Sequence, residues 1–257
     1  MDREPGHPSY ANPSIGEALC EIMFEGGEAA GAATANFFLR IKDDYPQFEP
    51  LAVPQGLIQI VATPPGAPVQ QVPAQTSLTK FVSVDGRFTC VIGQNVFRVH
   101  RAAPYPGWDV MIEEIAKLWG VMVDVAQPGP LTRVGLRYIN VIDVTGERGA
   151  LGDFILPTKT IPESAVSGSL EHPFSSRTEV WLDEKNTLTL LLARGVGPKG
   201  EVAIILDIDR VDQAPASDGR DLGQMRGALD QYHEHVWTEF KAACGHRLRE
   251  RLSGKVE

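Results

Sequence analysis

Leu131 to Val144, read as LTRVGLRYINVIDV, constrains the fold more than any other stretch of this chain. It is the longest clean strand signal, and it joins the two halves of the sequence. Strand side chains alternate, so Arg133, Gly135, Arg137, Ile139, Val141 and Asp143 fall on one face. Val134, Leu136, Tyr138, Asn140 and Ile142 fall on the other. The β-branched and aromatic residues among them suit a pleated, half-buried surface.

The rest of the pattern is consistent with that strand lying in an antiparallel sheet. Alternation from Glu17 to Phe24 predicts a strand with Ala18, Cys20, Ile22 and Phe24 on one side. The Ala-rich run from Ala29 to Tyr45 predicts a helix closed by Pro46. A proline-rich segment follows, in which only Gly56–Ala62 reads as a strand; its 63–76 portion is a long loop and a plausible contact element. Strands are then expected at Thr79–Val84, Arg87–Ile92 and Val96–Arg101, linked by Asp85-Gly86 and by Gly93–Asn95. Trp108 to Val123 carries Ile115, Leu118, Trp119 and Met122 at helical spacing. Beyond the organising strand, short structure is expected at Phe154–Leu156, with strands at Ser169–Leu182, Thr187–Arg194 and Val202–Val211. A last helix runs from Asp221 to Leu252, with Asp218 as a candidate N-cap and Gly245 as a point of bending.

Strands in runs with few helices between them indicate an α+β fold: antiparallel sheet packed against three main helices, the C-terminal one long. Residues 1–9 read as a disordered leader and 10–257 as a single integrated domain, with 10–130 and 131–257 as its possible halves. No apolar run approaches the roughly 20 residues of a membrane helix, and the acidic start is not a targeting peptide, so no membrane association and a cytoplasmic location are expected. Cys20, Cys90 and Cys244 lack zinc or disulfide spacing and read as small buried apolar residues. A net charge of -9 argues against a broad nucleic-acid-binding surface.

Four segments resemble an uncharacterised, sporadically distributed prokaryotic family. They are Tyr10-Ala-Asn-Pro-Ser-Ile-Gly-Glu-Ala-Leu19 (containing NPxIxEAL), Tyr105-Pro-Gly-Trp108, Arg133 to Asn140 (RxGLRYIN) and Leu229 to His233 (LDxxH) with Phe240. Ser14 stands where the family pattern has a second proline, and Tyr232 where it has leucine. The resemblance implies a stand-alone α+β protein of unassigned activity, encoded among mobile or accessory genes. It transfers no catalytic residue.

Three constellations could carry chemistry. Asp207 and Asp209 share a strand face, and carboxylates so placed can hold a divalent metal, with His233 of the last helix as a candidate third ligand. The competing reading is the polar face of a half-exposed strand. Arg133 and Arg137, with Arg101 and Arg177 on neighbouring strands, can bind an anion, because the guanidinium fork matches phosphate and carboxylate. The alternative is cross-strand pairing with acids such as Glu17 or Glu179. Asn12, Tyr138, Asn140 and Asp230 are expected to form a structural polar network. P-loop, dinucleotide-fold and nucleophile-elbow motifs are absent from the sequence. The leading expectation is therefore a non-catalytic binding module that engages a protein partner or a second copy of itself, with no cofactor. A metal-dependent phosphoesterase or nuclease and an anion or nucleotide sensor are the alternatives.

Overall fold

The computed structural model describes residues 10–26, 30–51, 78–156, 173–197, 199–215 and 219–254. The strand expected at Gly56–Ala62, the 63–76 loop, the 1–9 leader and the Asp218 cap lie outside them. In chain order the first half contains β1 (Ile15–Phe24), α1 (Ala30–Ile41), β2 (Gln47–Leu51), β3 (Leu78–Val82), β4 (Phe88–Gly93), β5 (Val96–Ala102) and α2 (Trp108–Ala126). The second contains β6 (Leu131–Asp143), α3 (Leu151–Phe154), β7 (Ser175–Trp181), β8 (Asn186–Val196), β9 (Val202–Asp212), α4 (Leu222–Ala243) and α5 (His246–Leu252).

The nine strands of the described residues join one antiparallel sheet in the order β2-β3-β4-β5-β1-β6-β9-β8-β7. The organising strand, β6, lies near its middle beside β1, with Ala18 opposite Tyr138 and Cys20 opposite Leu136. Each half thus opens on a central strand, crosses to the edge of the sheet and returns inward through a meander to the flank of that strand away from the other half.

The apolar parity of the strands decides which face is covered. Ala18, Cys20, Ile22 and Phe24 of β1 and Leu206 and Ile208 of β9 are buried, and the helices pack over them. Phe37 of α1 meets Phe81, Trp119 of α2 meets Phe24 and Phe97, and His233 of α4 approaches Tyr138. Trp119 is the largest fully buried side chain, and its indole donates to the Gly219 carbonyl at 2.7 Å. Cys20, Cys90 and Cys244 are all buried free thiols. Among the described residues no helix is long and apolar enough to cross a membrane.

Three details depart from the sequence pattern. β2 forms within what reads as a proline-rich loop; Pro50 is accommodated because the strand is at the sheet edge, where a missing N–H costs least. The described residues contain five helices rather than three main ones. The expected single C-terminal helix is two, α4 and α5, separated at Cys244 and Gly245.

That break has a tertiary cause. The Gly245 N–H donates to the Phe154 carbonyl at 2.6 Å, and Cys244 bridges Ile155, so α3 takes up the backbone groups that an unbroken helix would use. A Cβ on Gly245 would lie 2.4 Å from the Asp153 carbonyl oxygen. Gly245→Ala is therefore expected to destabilise the fold by about 1–3 kcal/mol, the usual cost of forced overpacking. Chemical denaturation checks this, and an unchanged midpoint would mean that α3 moves aside without cost.

Candidate functional site

On the sheet face opposite the helices, charges alternate in sign from strand to strand. β5 presents Arg98 and His100, β1 Glu17 and Glu21, β6 Arg133 and Arg137, and β9 Asp207 and Asp209. Antiparallel register sets each beside its opposite, and the side chains close the pairs. Arg98 donates to Glu21 at 2.6 Å, and Arg133 also pairs with Glu21. His100 Nδ1 lies 2.6 Å from a Glu17 carboxylate oxygen. Arg137 grips Asp207 through both fork positions, Nε to Oδ1 at 2.8 Å and Nη2 to Oδ2 at 2.5 Å.

The network is more buried than an ordinary surface pair. Glu21 is 8% exposed and Asp207 7%. The hydrogen bond to His100 holds the Glu17 carboxyl below its usual range. Asp209 goes the other way: burial raises its carboxyl, against the lowering pull of Arg133 and Arg137. It stands between two arginines whose guanidinium groups are engaged by other acids. Arg177 of β7 shares this face and pairs with Glu179 at 3.2 Å.

The carboxylates and the histidine of the expected metal site are not brought together. Asp207 and Asp209 point to the charged face, whereas His233 lies on the helix side, 5.9 Å by ring centroid from Tyr138. α4 does cover β9, but over Leu206 and Ile208, because an apolar helix stripe packs on the apolar parity of the strand. Among the described residues no group of three His, Cys, Asp or Glu side chains is placed to hold a metal ion. Arg101 also differs from expectation. It faces the helix side, lies over the Phe88 ring at 4.6 Å and donates to the Pro104 carbonyl.

The expected polar network divides into separate joints. Asn140 accepts from Ser14 at 3.0 Å and donates to the Leu206 carbonyl, while Asn12 donates to the Arg251 carbonyl. Tyr138 instead meets Tyr105 hydroxyl to hydroxyl at 2.8 Å, and burial raises both phenols. Asp230 accepts from the Trp108 indole at 2.7 Å, and the same indole stacks on His233 with centroids 4.4 Å apart. Tyr105, Trp108, Tyr138, Asp230 and His233 thereby clamp the start of α2 between β6 and α4. Hydrogen-bonded phenols and indole, with the imidazole stacked on the indole, suit a structural joint.

Sequence reasoning missed Glu21, Arg98 and His100 as members of the charged face. Their parity was visible, since Arg98 and His100 alternate with Phe97 and Val99, but the register that brings β5 beside β1 was not. Elsewhere, a surface cavity of about 490 Å³ is lined by Tyr10, Thr238, Lys241, Ala242, Cys244 and Arg249. Its cations complement the carbonyl end of α4, where Arg249 donates to the Lys241 carbonyl at 3.4 Å. Neither protein-family models nor curated proteins give a match to this sequence.

Proposed function

We propose that the protein is a non-catalytic binding module that engages a protein partner through the charged face of its sheet. The observation that carries this reading is the alternating ion-pair network on β5, β1, β6 and β9, on the face opposite α1, α2 and α4. Such a surface favours specificity, since a partner must match both signs in register or leave charges desolvated and unpaired. The half-buried Leu19, Met23, Ile139 and Val141 between the charges supply apolar contact.

The two alternatives lose their groups to this network. A metal would have to displace Arg137 from Asp207, and it would find His233 across the sheet. A phosphate or carboxylate at Arg133 and Arg137 would have to displace Asp207, which occupies the Arg137 fork, and Glu21, which pairs with Arg133.

The test is co-expression with the products of neighbouring genes, using wild type, Leu19→Arg on the charged face and Val110→Arg on the exposed side of α2. A complex retained by wild type and Val110→Arg but lost in Leu19→Arg is the expected result. Loss in neither variant, or no complex with any neighbour and no self-association by native mass spectrometry, overturns the proposal. A wild-type dimer that Leu19→Arg dissociates identifies the partner as a second copy.

A further inference from the structure

Arg210 is the one arginine of β9, and parity turns it away from the charged face, beneath α4. It is 4% exposed. Its Nη1 donates to the Val211 carbonyl and its Nη2 to Asn186 Oδ1 at 2.6 Å; its guanidinium carbon lies 4.7 Å from the Tyr232 ring centroid. Its Nε donates to His235 Nδ1 at 3.3 Å. Tyr232 and His235, three residues apart on α4, therefore grip one guanidinium between them, and the Tyr232 hydroxyl continues to Asp212 at 3.0 Å. Among the described residues no carboxylate pairs directly with Arg210.

We infer that the Arg210–His235 contact is an acid-released joint between α4 and the sheet. The chemistry lies in the acceptor. Nδ1 accepts the Arg210 Nε–H only while its lone pair is free, so protonation removes the hydrogen bond and sets two cations face to face. The charged groups around the pair are Arg210 and Asp212 from β9, Asp183 from the turn before β8, and Glu234 and Glu239 from α4; the ionisable Tyr232 completes the ring. The two glutamates favour the imidazolium, but burial and Arg210 outweigh them and lower the His235 pKa. The folded chain then binds fewer protons at this site than the unfolded chain. The contribution is complete above the ordinary imidazole value of about 6.5 and is lost as pH falls through the lower folded value. Release at this point reaches the start of α2, because His233 and Asp230 of the same helix hold Trp108.

Hydrogen exchange followed by mass spectrometry on the full chain, at pH 7.5 and pH 5.5 and corrected for intrinsic rates, tests the joint. Wild type is expected to lose protection in residues 222–243 at the lower pH while β1 and β6 stay protected. His235→Gln keeps an acceptor that does not titrate in this range and should hold its protection at both pH values. Equal loss in wild type and His235→Gln, or no loss in wild type, overturns the inference. A ¹⁵N imidazole titration of His235 in the wild type gives a second readout: its midpoint should coincide with the loss of protection, and a midpoint elsewhere is equally fatal.

Discussion

Trp119→Ala is expected to cost about 3–5 kcal/mol of stability, the range for deleting a large buried aromatic side chain. The indole is fully buried, makes an edge-type contact with Phe97 at a centroid distance of 5.1 Å and a tilted one with Phe24 at 5.8 Å, and donates to the Gly219 carbonyl. Alanine would leave a cavity where α2 meets β1 and β5, and would strand that carbonyl beside the start of α4. At about 2–4 °C per kcal/mol for a chain of this size, the melting temperature should fall by about 10 °C. Scanning calorimetry or a urea titration measures the loss. A fall of less than about 1 kcal/mol would mean that the two layers close over the gap, unlike most core sites.

Arg137→Ala should rank next, at about 3 kcal/mol, because removing one member of a buried ion pair leaves the other without compensation. The stranded group is Asp207, and Asp209 loses one of its two flanking cations by the same change. Partial exposure of Arg137 keeps the expectation at the low end of the range for buried pairs. A companion result separates this cause from simple loss of packing. The double variant Arg137→Leu, Asp207→Leu should recover most of the deficit, since an apolar pair leaves neither partner charged and unmatched. A deficit that ignores the second substitution would identify Arg137 as a packing residue whose charge is incidental.

Much of this build was legible before any coordinates. β6 announced itself through thirteen residues of alternation, and the β3–β4–β5 meander through its tight turns. β2 was hidden because Pro50 is a poor strand signal, and only the edge position makes it tolerable. The rejection of the metal site was latent in the sequence. Ile204, Leu206 and Ile208 alternate with Asp207 and Asp209, so a helix that buries the former cannot present His233 to the latter. The charged face was legible only as fragments. Arg133 and Arg137 could be placed on one side of a strand, but their acids, Glu21 and Asp207, come from β1 and β9. Pairing across 70 residues or more is a property of topology, which local periodicity does not encode. The end of α4 is similar: Gly245 marked the place, while the Phe154 carbonyl that fixes the break is supplied from a distance.

The seam between β1 and β6 also governs the order in which the protein can be assembled. Ala18 pairs with Tyr138, 120 positions further along the chain. A ribosome that has released residues 10–130 has delivered β1 through β5 and α2, yet one flank of the ten-residue β1 still has no neighbour. Until β6 emerges, that flank offers bare amides and carbonyls in the middle of what will become the sheet, a template for pairing with any other nascent chain. Closure of such a long loop is also slow relative to the local hairpins on either side. Pairing at this one seam is therefore expected to be the slow step in the maturation of newly made chains, and the one most exposed to delay in crowded synthesis.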